Sequence, residues 1–356
     1  MAVRPGHGAS RVSAIDLFCG AGGLSYGLKE AGVLVTAGID IDPSCAFPFQ
    51  RNIEASFLEM DIRDVKASHL RPLWPAGTIR LLAGCAPCQP FSSHRRGADT
   101  STEDEWKLLL EFGRLVASTK PELVTMENVV RLGSTTVFGD FVDGLCDTGY
   151  HVTWQACYGP DYGLAQSRRR LVLLASRLGP IEPPAVQDSD RKPTVRDVIG
   201  GLPPLASGGK DPDDPIHTTR ELTKVNLERI RASVPGGTWK DWPKELRAPC
   251  HQKASGASFR SVYARMEWDK PAPTITTEAH NFGTGRFGHP DQDRAISLRE
   301  AAMLQGFPRG YDFVRETEPI YFTKLGRLIG NAVPPPLGKA VGDALQAHVS
   351  EYCSAN

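Results

Sequence analysis

A cysteine flanked by prolines is the residue of this sequence best suited to covalent chemistry. Cys88 lies in GCAPCQPFSSHRRG, residues 84–97, with Pro87 directly before it and Pro90 two positions after it. Proline fixes φ and interrupts strands and helices, so we expect the thiol on a stiff corner. The following residues are small, polar and basic, which is typical of a loop. Such a thiol could be a metal ligand, half of a disulfide, a buried core residue or a nucleophile.

The distribution of cysteines and histidines argues against the first two roles. The eight cysteines are scattered and form no disulfide framework, and no second Cys-x-x-Cys or close histidine pair completes a zinc site with Cys85 and Cys88. We therefore predict no metal. A lone cysteine is usually a buried small hydrophobe. The proline corner, the basic neighbours and the position after the apolar run 79–83 nevertheless favour a presented, activated thiol.

Two other motifs place charged side chains next to predicted strands. MENV, residues 126–129, ends an apolar run. Its Glu127 has three possible roles: a solvated carboxylate, a helix cap, or a group that acts with Cys88 on the same substrate. QSRRR, residues 166–170, is the densest basic spot in the chain. It is either a solvated charge run or a contact for phosphates or bases.

A glycine-rich turn indicates a cofactor site. In DLFCGAGGLSYGL, residues 16–28, a strand, a glycine turn and a helix leave backbone N–H groups bare at the carboxyl edge of a sheet. Asp40 and Asp61 end the next two predicted strands, where a carboxylate can bind ribose hydroxyls. A tight structural turn is the plain alternative. The spacing is not G-x-G-x-x-G, and the glycines alone do not separate a dinucleotide from S-adenosylmethionine.

Apolar patterning supplies the elements that must position these groups. It predicts helices after the glycine turn and at 106–118 and 138–147, and strands at 12–18, 33–41, 57–61, 79–83, 123–126, 150–156 and 171–175. This alternation predicts an α/β fold with a doubly wound, Rossmann-like parallel sheet. Beyond residue 178, Pro-Pro and Gly-Gly pairs replace the periodicity, so we expect a boundary there and a smaller, irregular domain after it. Helical patterning returns at 297–305 and 337–351.

Length and composition bound the class of protein. A chain of 356 residues with 40% apolar and 23% charged residues is long enough for one large domain and a smaller one. Its formal net charge is zero, so any nucleic-acid contact needs locally clustered charge. No apolar run approaches the ~18 residues of a membrane span, and the first residues lack the apolar core of a signal peptide. We therefore expect a cytoplasmic protein with reduced cysteines and no membrane partner.

These motifs together resemble the DNA (cytosine-5)-methyltransferase family, in its bacterial restriction-modification form. The resemblance covers roughly residues 13–348 and keeps the family's order. It rests on DLFCGAGGLSYGL (16–28), GCAPCQPFS (84–92), MENV (126–129), QSRRR (166–170), PAPTIT (271–276), SLREAAMLQGFP (297–308) and GNAVPPPLG (330–338). Each motif is short, but their joint occurrence is very specific.

The resemblance implies a fold, a reaction and four catalytic residues. The fold would be the Rossmann-like sheet of S-adenosylmethionine-dependent methyltransferases, and the reaction would be methyl transfer to C5 of a cytosine flipped out of duplex DNA. Cys88 would add to C6 of the base as the nucleophile, and Glu127 would hold or donate the proton at N3. Arg168 would contact the cytosine O2, and Arg170 would help position the backbone and the Cys88 loop.

The resemblance also implies binding residues. S-adenosylmethionine would contact Asp40 through its ribose hydroxyls and Asp61 through its adenine amine. Ile41 stands where family members often carry an aromatic residue, so one stacking contact on adenine would be weaker. Asn331 and Val333 would close the pocket. The full implied cofactor set is Phe18, Gly20, Gly22, Gly23, Leu24, Asp40, Ile41, Asp61, Asn331 and Val333, and the implied substrate set is Gln89, Pro90, Ser92 and Gln166.

Domain roles and partners follow from the same resemblance. Residues 1–178 would form the catalytic, cofactor-binding domain, 179–318 the target-recognition domain with its hinge, and 319–356 a C-terminal segment that returns to the catalytic domain. The chain would act on double-stranded DNA as a monomer in the bacterial cytosol, at the nucleoid. A restriction endonuclease acting on the same site would be its partner. Candidates for contacts in the DNA grooves are Trp239, Trp242, Arg247, His251, Lys253 and Arg260.

Three other functions compete with this one. An RNA cytosine methyltransferase of the tRNA-modifying branch shares the catalytic motifs, although the long segment 179–296 and GRFGHP, residues 285–290, favour DNA. A catalytically silent DNA-binding homologue would have lost Cys88 or Glu127, and both are present. A dinucleotide-dependent oxidoreductase is disfavoured by the glycine spacing.

Overall fold

The computed structural model describes residues 11–87, 107–187, 189, 191–253 and 261–355. The predicted nucleophile Cys88, the predicted substrate residues Gln89, Pro90 and Ser92, and the groove candidate Arg260 lie outside the described residues. The chain forms two compact units. The first unit comprises Met1–Tyr158, Arg169–Gln187 and Val333–Asn356, and the second comprises Gly159–Arg168 and Asp188–Ala332.

A seven-stranded sheet is the frame of the first unit. In space the strands lie in the order β3-β2-β1-β4-β5-β7-β6. The first five strands of this order are parallel, whereas β7 runs antiparallel to both of its neighbours, β5 and β6. The carboxyl ends of β1, β2, β4 and β5 therefore meet at one edge of the sheet, together with the start of β7. The strand bounds are β1 Val12–Leu17, β2 Leu34–Asp40, β3 Ser56–Glu59, β4 Ile79–Gly84, β5 Leu123–Asn128, β6 His151–Tyr158 and β7 Arg169–Ser176.

The predicted α/β fold with a doubly wound sheet is confirmed, with one difference. We predicted a parallel sheet, but the last two strands are antiparallel to their neighbours. A parallel crossover needs a dozen or more residues, usually including a helix. Only residues 159–168 separate β6 from β7, and their regular structure is a single 3₁₀ turn, Gly159–Tyr162. β7 therefore returns antiparallel to β6 and inserts between β6 and β5.

Helices cover both faces of this sheet. The helix bounds in the first unit are α1 Gly23–Glu30, α2 Ala46–Ile53, α3 Ala67–Leu70, α4 Lys107–Thr119, α5 Thr136–Asp147 and α10 Pro335–Ala355. On one face, α4 and α5 bury apolar side chains against the central strands, with Phe112 and Phe141 in ring contact at 5.8 Å. On the other face, Ser25 of α1 donates to Asp16 of β1. No helix within the described ranges is both long and apolar enough to cross a membrane.

Helices α1 and α10 pack with almost no space between their backbones. A methyl group added at Gly27 of α1 would lie 2.3 Å from the Pro335 carbonyl oxygen and 2.4 Å from the Lys339 nitrogen. One added at Gly338 of α10 would lie 2.9 Å from the Leu24 carbonyl oxygen. The PPPLG segment therefore starts a helix directly against the helix that follows the glycine turn. Prolines suit this place because the first turn of a helix has no intrahelical partner for their nitrogen.

The second unit consists of short helices, turns and loops, as the fading periodicity predicted. Its helices are α6 Val195–Ile199, α7 Lys224–Arg231, α8 Leu298–Leu304 and α9 Phe322–Asn331, and its described residues contain isolated β-bridges but no strand. One core cluster brings together Ile230, Trp239, Trp242, Phe282 and Ala295. We placed domain boundaries at residues 178 and 318, whereas the compact units change at 187 and 332, and residues 159–168 belong to the second unit.

The α1–α10 contact leads to a stability prediction. Gly27→Ala forces a methyl group into backbone atoms that cannot turn away, so we expect the free energy of unfolding to fall by about 2 kcal/mol or more, at the upper end of overpacking effects. Gly139→Ala on α5 is the matched control, because a methyl group there meets nothing within 4 Å. Its helix propensity should raise stability by up to about 1 kcal/mol. Urea titration measures both, and equal effects of the two variants would contradict the assigned contact.

Candidate active site

The glycine turn after β1 has an unusual backbone. Phe18, directly after the strand, has φ +57°, a value that is rare for a bulky residue and that costs conformational energy. Gly20 and Gly22 also have positive φ, at +54° and +91°, and Gly22 caps α1. A methyl group added at Gly20 would meet nothing within 4 Å. The backbone is therefore tightly turned here, and the space beside the Cα atom of Gly20 is open.

Asp40 at the end of β2 braces this turn. Its Oδ2 accepts a hydrogen bond of 2.9 Å from the Gly20 N–H, and its Oδ1 accepts one of 2.9 Å from the Asp42 N–H. Burial raises the pKa of the carboxyl. Each carboxylate oxygen has two acceptor positions, so these two bonds leave the carboxylate able to accept further hydroxyl donors.

Asp16 is a buried charged residue that we did not single out from the sequence. It lies in β1 with 1% of its surface exposed, and its Oδ2 accepts a 2.6 Å hydrogen bond from the Ser25 hydroxyl of α1. Burial raises its pKa to about 7, with a smaller contribution from the nearby Asp40. The signal in the sequence was a lone carboxylate within the apolar strand VSAIDL.

The other predicted cofactor residues differ in exposure. Asp61 follows β3 and forms a fork with Arg63, whose guanidinium contacts both carboxylate oxygens and lowers the pKa of Asp61 to about 2. Ile41 is 63% exposed beside Asp40. Gly23, Leu24 and Val333 are buried in the first unit, whereas Asn331 is exposed at the end of α9 in the second.

Glu127 is a buried carboxylate at the carboxyl end of β5. Its Oε2 accepts from the Cys85 thiol at 3.1 Å, and its Oε1 lies 3.1 Å from Nε of Arg170. Its side chain is only 5% exposed. No group of the described residues forms a well-aligned hydrogen bond with Oε1. The carboxylate therefore has a neutral donor on one oxygen and an opposite charge on the other.

Asn128 anchors the chain that leads to Cys88. Its side-chain amide donates to the Ala86 carbonyl at 3.0 Å, and both residues are buried. This contact explains the third residue of MENV, Asn128, which we had not interpreted from the sequence. Within the described residues, no group of three or more His, Cys, Asp or Glu side chains is arranged to hold a metal ion.

Arg168 and Gln166 lie in the second unit, and both are buried. The Arg168 guanidinium donates to the carbonyls of Ile275 at 3.1 Å and Gly330 at 3.4 Å. The Gln166 amide donates to Leu304 O and Gln305 Oε1 and accepts from the Ile275 N–H. Both side chains thus tie distant parts of this unit together, and their contacts with a base or substrate stay predictions.

The two tryptophans among the candidates for contacts in the DNA grooves are core residues. Trp239 and Trp242 are 4% and 2% exposed, so the predicted groove contacts are wrong for both. Aromatic residues beside basic ones are typical of nucleic-acid binding, but here both tryptophans belong to the core cluster that contains Ile230 of α7. His251 is also buried and stacks on Trp239 at 4.4 Å, while Arg247 donates to backbone carbonyls. Lys253 is exposed.

Comparisons with known proteins agree with this architecture. Residues 12–347 match the family model described as C-5 cytosine-specific DNA methylase. The chain is 48% identical over 336 residues to the type II methylase M.HgiDII of Herpetosiphon aurantiacus. This alignment covers 93% of this chain and 94% of that protein. It is 28% identical to DNA (cytosine-5)-methyltransferase 3 of Arabidopsis thaliana, over 94% of this chain and 31% of that protein. A solved structure of a prophage-encoded E. coli protein, described as a DNA modification methyltransferase, has a TM-score of 0.73 at 21% identity over 96% of this chain and 99% of that one.

The sheet and its solved relative define a protein with the Rossmann-like methyltransferase fold. The family match and the level of identity go further: the chain belongs to the C-5 cytosine-specific DNA methylase family. The family and the enzyme class that we predicted, a DNA (cytosine-5)-methyltransferase, are thereby confirmed.

Asp16 leads to a prediction on the pH dependence of stability. Between about pH 4 and pH 7 the folded chain keeps the Asp16 proton while the unfolded chain loses it, so the free energy of unfolding falls as pH rises through this window. Asp16→Asn removes this titration. Relative to the wild type, the variant should therefore gain stability between pH 4 and pH 8, by up to about 4 kcal/mol.

The control for this experiment is Asp140→Asn, which removes an exposed carboxylate on α5. Urea unfolding at both pH values measures the two differences. A stability difference for Asp16→Asn that is the same at pH 4 and pH 8 would show that Asp16 does not titrate in this window.

Proposed function

We propose that the chain transfers a methyl group from S-adenosylmethionine to C5 of a cytosine flipped out of a specific duplex DNA sequence, through a covalent bond between Cys88 and C6. The observation that carries the proposal is the buried Glu127 carboxylate between Cys85 and Arg170, at the end of the strand beside the one that leads to Cys88. Family membership and the type II relative support the same reaction.

The chemistry explains why a nucleophile and a buried carboxyl are both needed. C5 of cytosine is a poor nucleophile, and addition of a thiolate to C6 turns it into an enamine-like carbon. Glu127 delivers a proton to N3 as the sulfur adds to C6 and takes it back when the sulfur leaves, so that the ring does not accumulate negative charge. After C5 has gained its methyl group, its hydrogen leaves as a proton to water, and the electron pair of that C–H bond re-forms the C5–C6 double bond and expels the Cys88 thiolate from C6.

Arg170 and Arg168 have different parts in this proposal. Arg170 lies against Glu127 Oε1 and holds the carboxylate in a fixed orientation, which adds to the backbone role that the family resemblance implies. Arg168 donates to O2 of the cytosine, where charge develops during addition. Its bonds to the Ile275 and Gly330 carbonyls keep the guanidinium from turning.

The residues around the glycine turn fit S-adenosylmethionine. The open space at Gly20 admits a ligand close to the backbone, Asp40 retains acceptor positions for ribose hydroxyls, and exposed Ile41 offers an apolar face for adenine. When bound, this cofactor supplies an electrophilic methyl group that C5 takes up. Asp61 accepts from the adenine amine, and its fork with Arg63 keeps it ionised.

Target recognition and partners complete the proposal. The base must leave the duplex because its C5 and C6 atoms are unreachable in the stack, at a cost of a few kcal/mol. Residues 188–332 of the second unit recognise the target sequence, and residues 333–356 belong to the first unit. The name of the type II relative supports a restriction endonuclease that acts on the same site.

The covalent step gives the first test. Cys88→Ser should abolish both methyl transfer and the covalent adduct with 5-fluorocytosine DNA, because serine is a much weaker nucleophile. Binding of cofactor and DNA should persist. Cys85→Ser is the matched control three positions away: it should still form the adduct. Denaturing gels and peptide mapping measure the result, and an adduct on any other residue, or only with RNA, would overturn the proposal.

Glu127 gives the second test. Glu127→Gln should lower the single-turnover rate of methyl transfer by about 10²–10⁴, the usual contribution of a positioned acid or base. Glu122→Gln is the control, because Glu122 forms a comparable ion pair with Arg80 at the other end of the same strand. It should change stability and leave the rate intact. An unchanged rate in Glu127→Gln would remove Glu127 from the mechanism.

A further inference from the structure

The three consecutive arginines of QSRRR differ in what their side chains contact. Arg168 is buried and donates to carbonyl groups, and Arg170 is paired with Glu127. Arg169 between them is exposed. No carboxylate of the described residues forms an ion pair with Arg169, although its two neighbours in sequence are both committed to protein contacts. Its full positive charge therefore faces solvent.

Tyr158 holds the Arg169 guanidinium in a fixed direction. The guanidinium carbon lies 4.5 Å from the centre of the Tyr158 ring, within the range of a cation–π contact. The two residues are directly paired at the last position of the β6–β7 ladder, so both side chains lie on the same face of the sheet. The stacked arrangement leaves the edge of the guanidinium, with its N–H groups, available to a ligand.

The position of Arg169 places this charge at the edge of the sheet that carries the candidate active site. Asn128, the last residue of β5, pairs with Leu171, so Arg169 lies two residues beyond the end of that ladder. Arg131 is also exposed, on the 3₁₀ turn that follows β5. Gly133 of the same turn packs against Leu171, so this second cation is at the same edge.

We propose that Arg169, oriented by Tyr158, binds a phosphate of the DNA backbone beside the cytosine that reacts. This inference rests on the proposed function, and it adds a positioning residue to that function. The planar guanidinium matches a phosphate through two parallel hydrogen bonds. Phosphate contacts fix the register of a protein on the duplex and carry no sequence information. Arg169 therefore strengthens binding to all DNA sequences equally.

Arg177 is a matched control that lies next to the same strand, β7. It is exposed directly after the other end of β7, and its guanidinium lies over the ring of Tyr150 at 6.0 Å. It shares the chemistry of Arg169 but lies at the opposite edge of the sheet. Substitution of either residue by glutamine removes one positive charge, so any difference between the two variants reports on position and not on net charge.

The experiment measures DNA affinity by fluorescence anisotropy from 50 to 200 mM KCl for the wild type, Arg169→Gln, Arg169→Lys and Arg177→Gln, with a duplex that the wild type methylates and an unrelated duplex. Arg169→Gln should reduce the slope of log K against log salt by about 0.9 on both duplexes. The affinity difference from the wild type should therefore shrink about threefold across this range. Arg169→Lys and Arg177→Gln should keep the wild-type slope.

Two results would overturn the assignment of Arg169. One is a slope in Arg169→Gln equal to that of the wild type or of Arg177→Gln. The other is a loss confined to the methylated duplex, which would indicate a base contact. The adduct assay on the wild type separates these failures from failure of the proposed function. If the wild type forms the adduct and the slopes of wild type and Arg169→Gln are equal, only the assignment of Arg169 is wrong. If the wild type forms no adduct, the proposed reaction is wrong.

Discussion

The buried carboxylate of Glu127 is the group on which the rest of the site depends. A carboxylate removed from water is costly unless hydrogen bonds and opposite charge compensate it. Both partners arrive through strand pairing. Parallel β4 brings Cys85 to the end of β5, and antiparallel β7 starts beside that end and delivers Arg170. A parallel β7 would have brought its other end, Ser176, to this edge, so the antiparallel insertion is what makes the charge tolerable there.

The cofactor side of the sheet uses carboxylates in a related way, with neutral N–H and O–H donors as partners. Asp40 fixes the glycine turn through the Gly20 N–H, and Asp16 fixes the first turn of α1 through Ser25. Helix α1, which follows the turn, is held against α10 by the close contact at Gly27. Residues that are distant in sequence, including the PPPLG segment, thus fix the position of this helix. This packing accounts for motifs that have no chemistry of their own.

Much of the fold could be predicted because short apolar runs of four to eight residues bounded by glycine, proline or charge are typical of buried strands. β1, β4 and β5 follow this pattern closely. Helix α2 was not predicted, since Pro48 interrupts its pattern, yet this proline occupies the first turn, where its missing N–H costs little. Helix α9 was missed because Gly326 and Gly330 lower its propensity, and both glycines are needed where Thr276 and Thr277 approach.

The residues of the candidate site also divide into those that the sequence indicates and those whose contacts only the structure shows. Glu127 and Asp40 were named as candidates because both stand at the ends of predicted strands, and the carboxyl ends of parallel strands meet at the edge of the sheet where ligands bind. The contacts of Cys85 and Asn128 depend on which strands are neighbours, and no local pattern carries that information. The contact of Asp16 depends on how α1 packs on β1. Trp239 and Trp242 were assigned to the DNA grooves because burial cannot be derived from an irregular segment.

Release of tritium from 5-tritiated cytosine DNA reports directly on addition of the thiolate to C6 and on the part of Glu127 in that step. Addition of a thiolate at C6 makes C5 basic, so its hydrogen exchanges with water even when a cofactor analogue without a transferable methyl group is bound. We expect tritium release by the wild type and a release slowed by about 10²–10⁴ in Glu127→Gln, because the adduct forms poorly without a group that protonates N3. Equal release by both proteins, or none from a wild type that methylates DNA, would contradict the account.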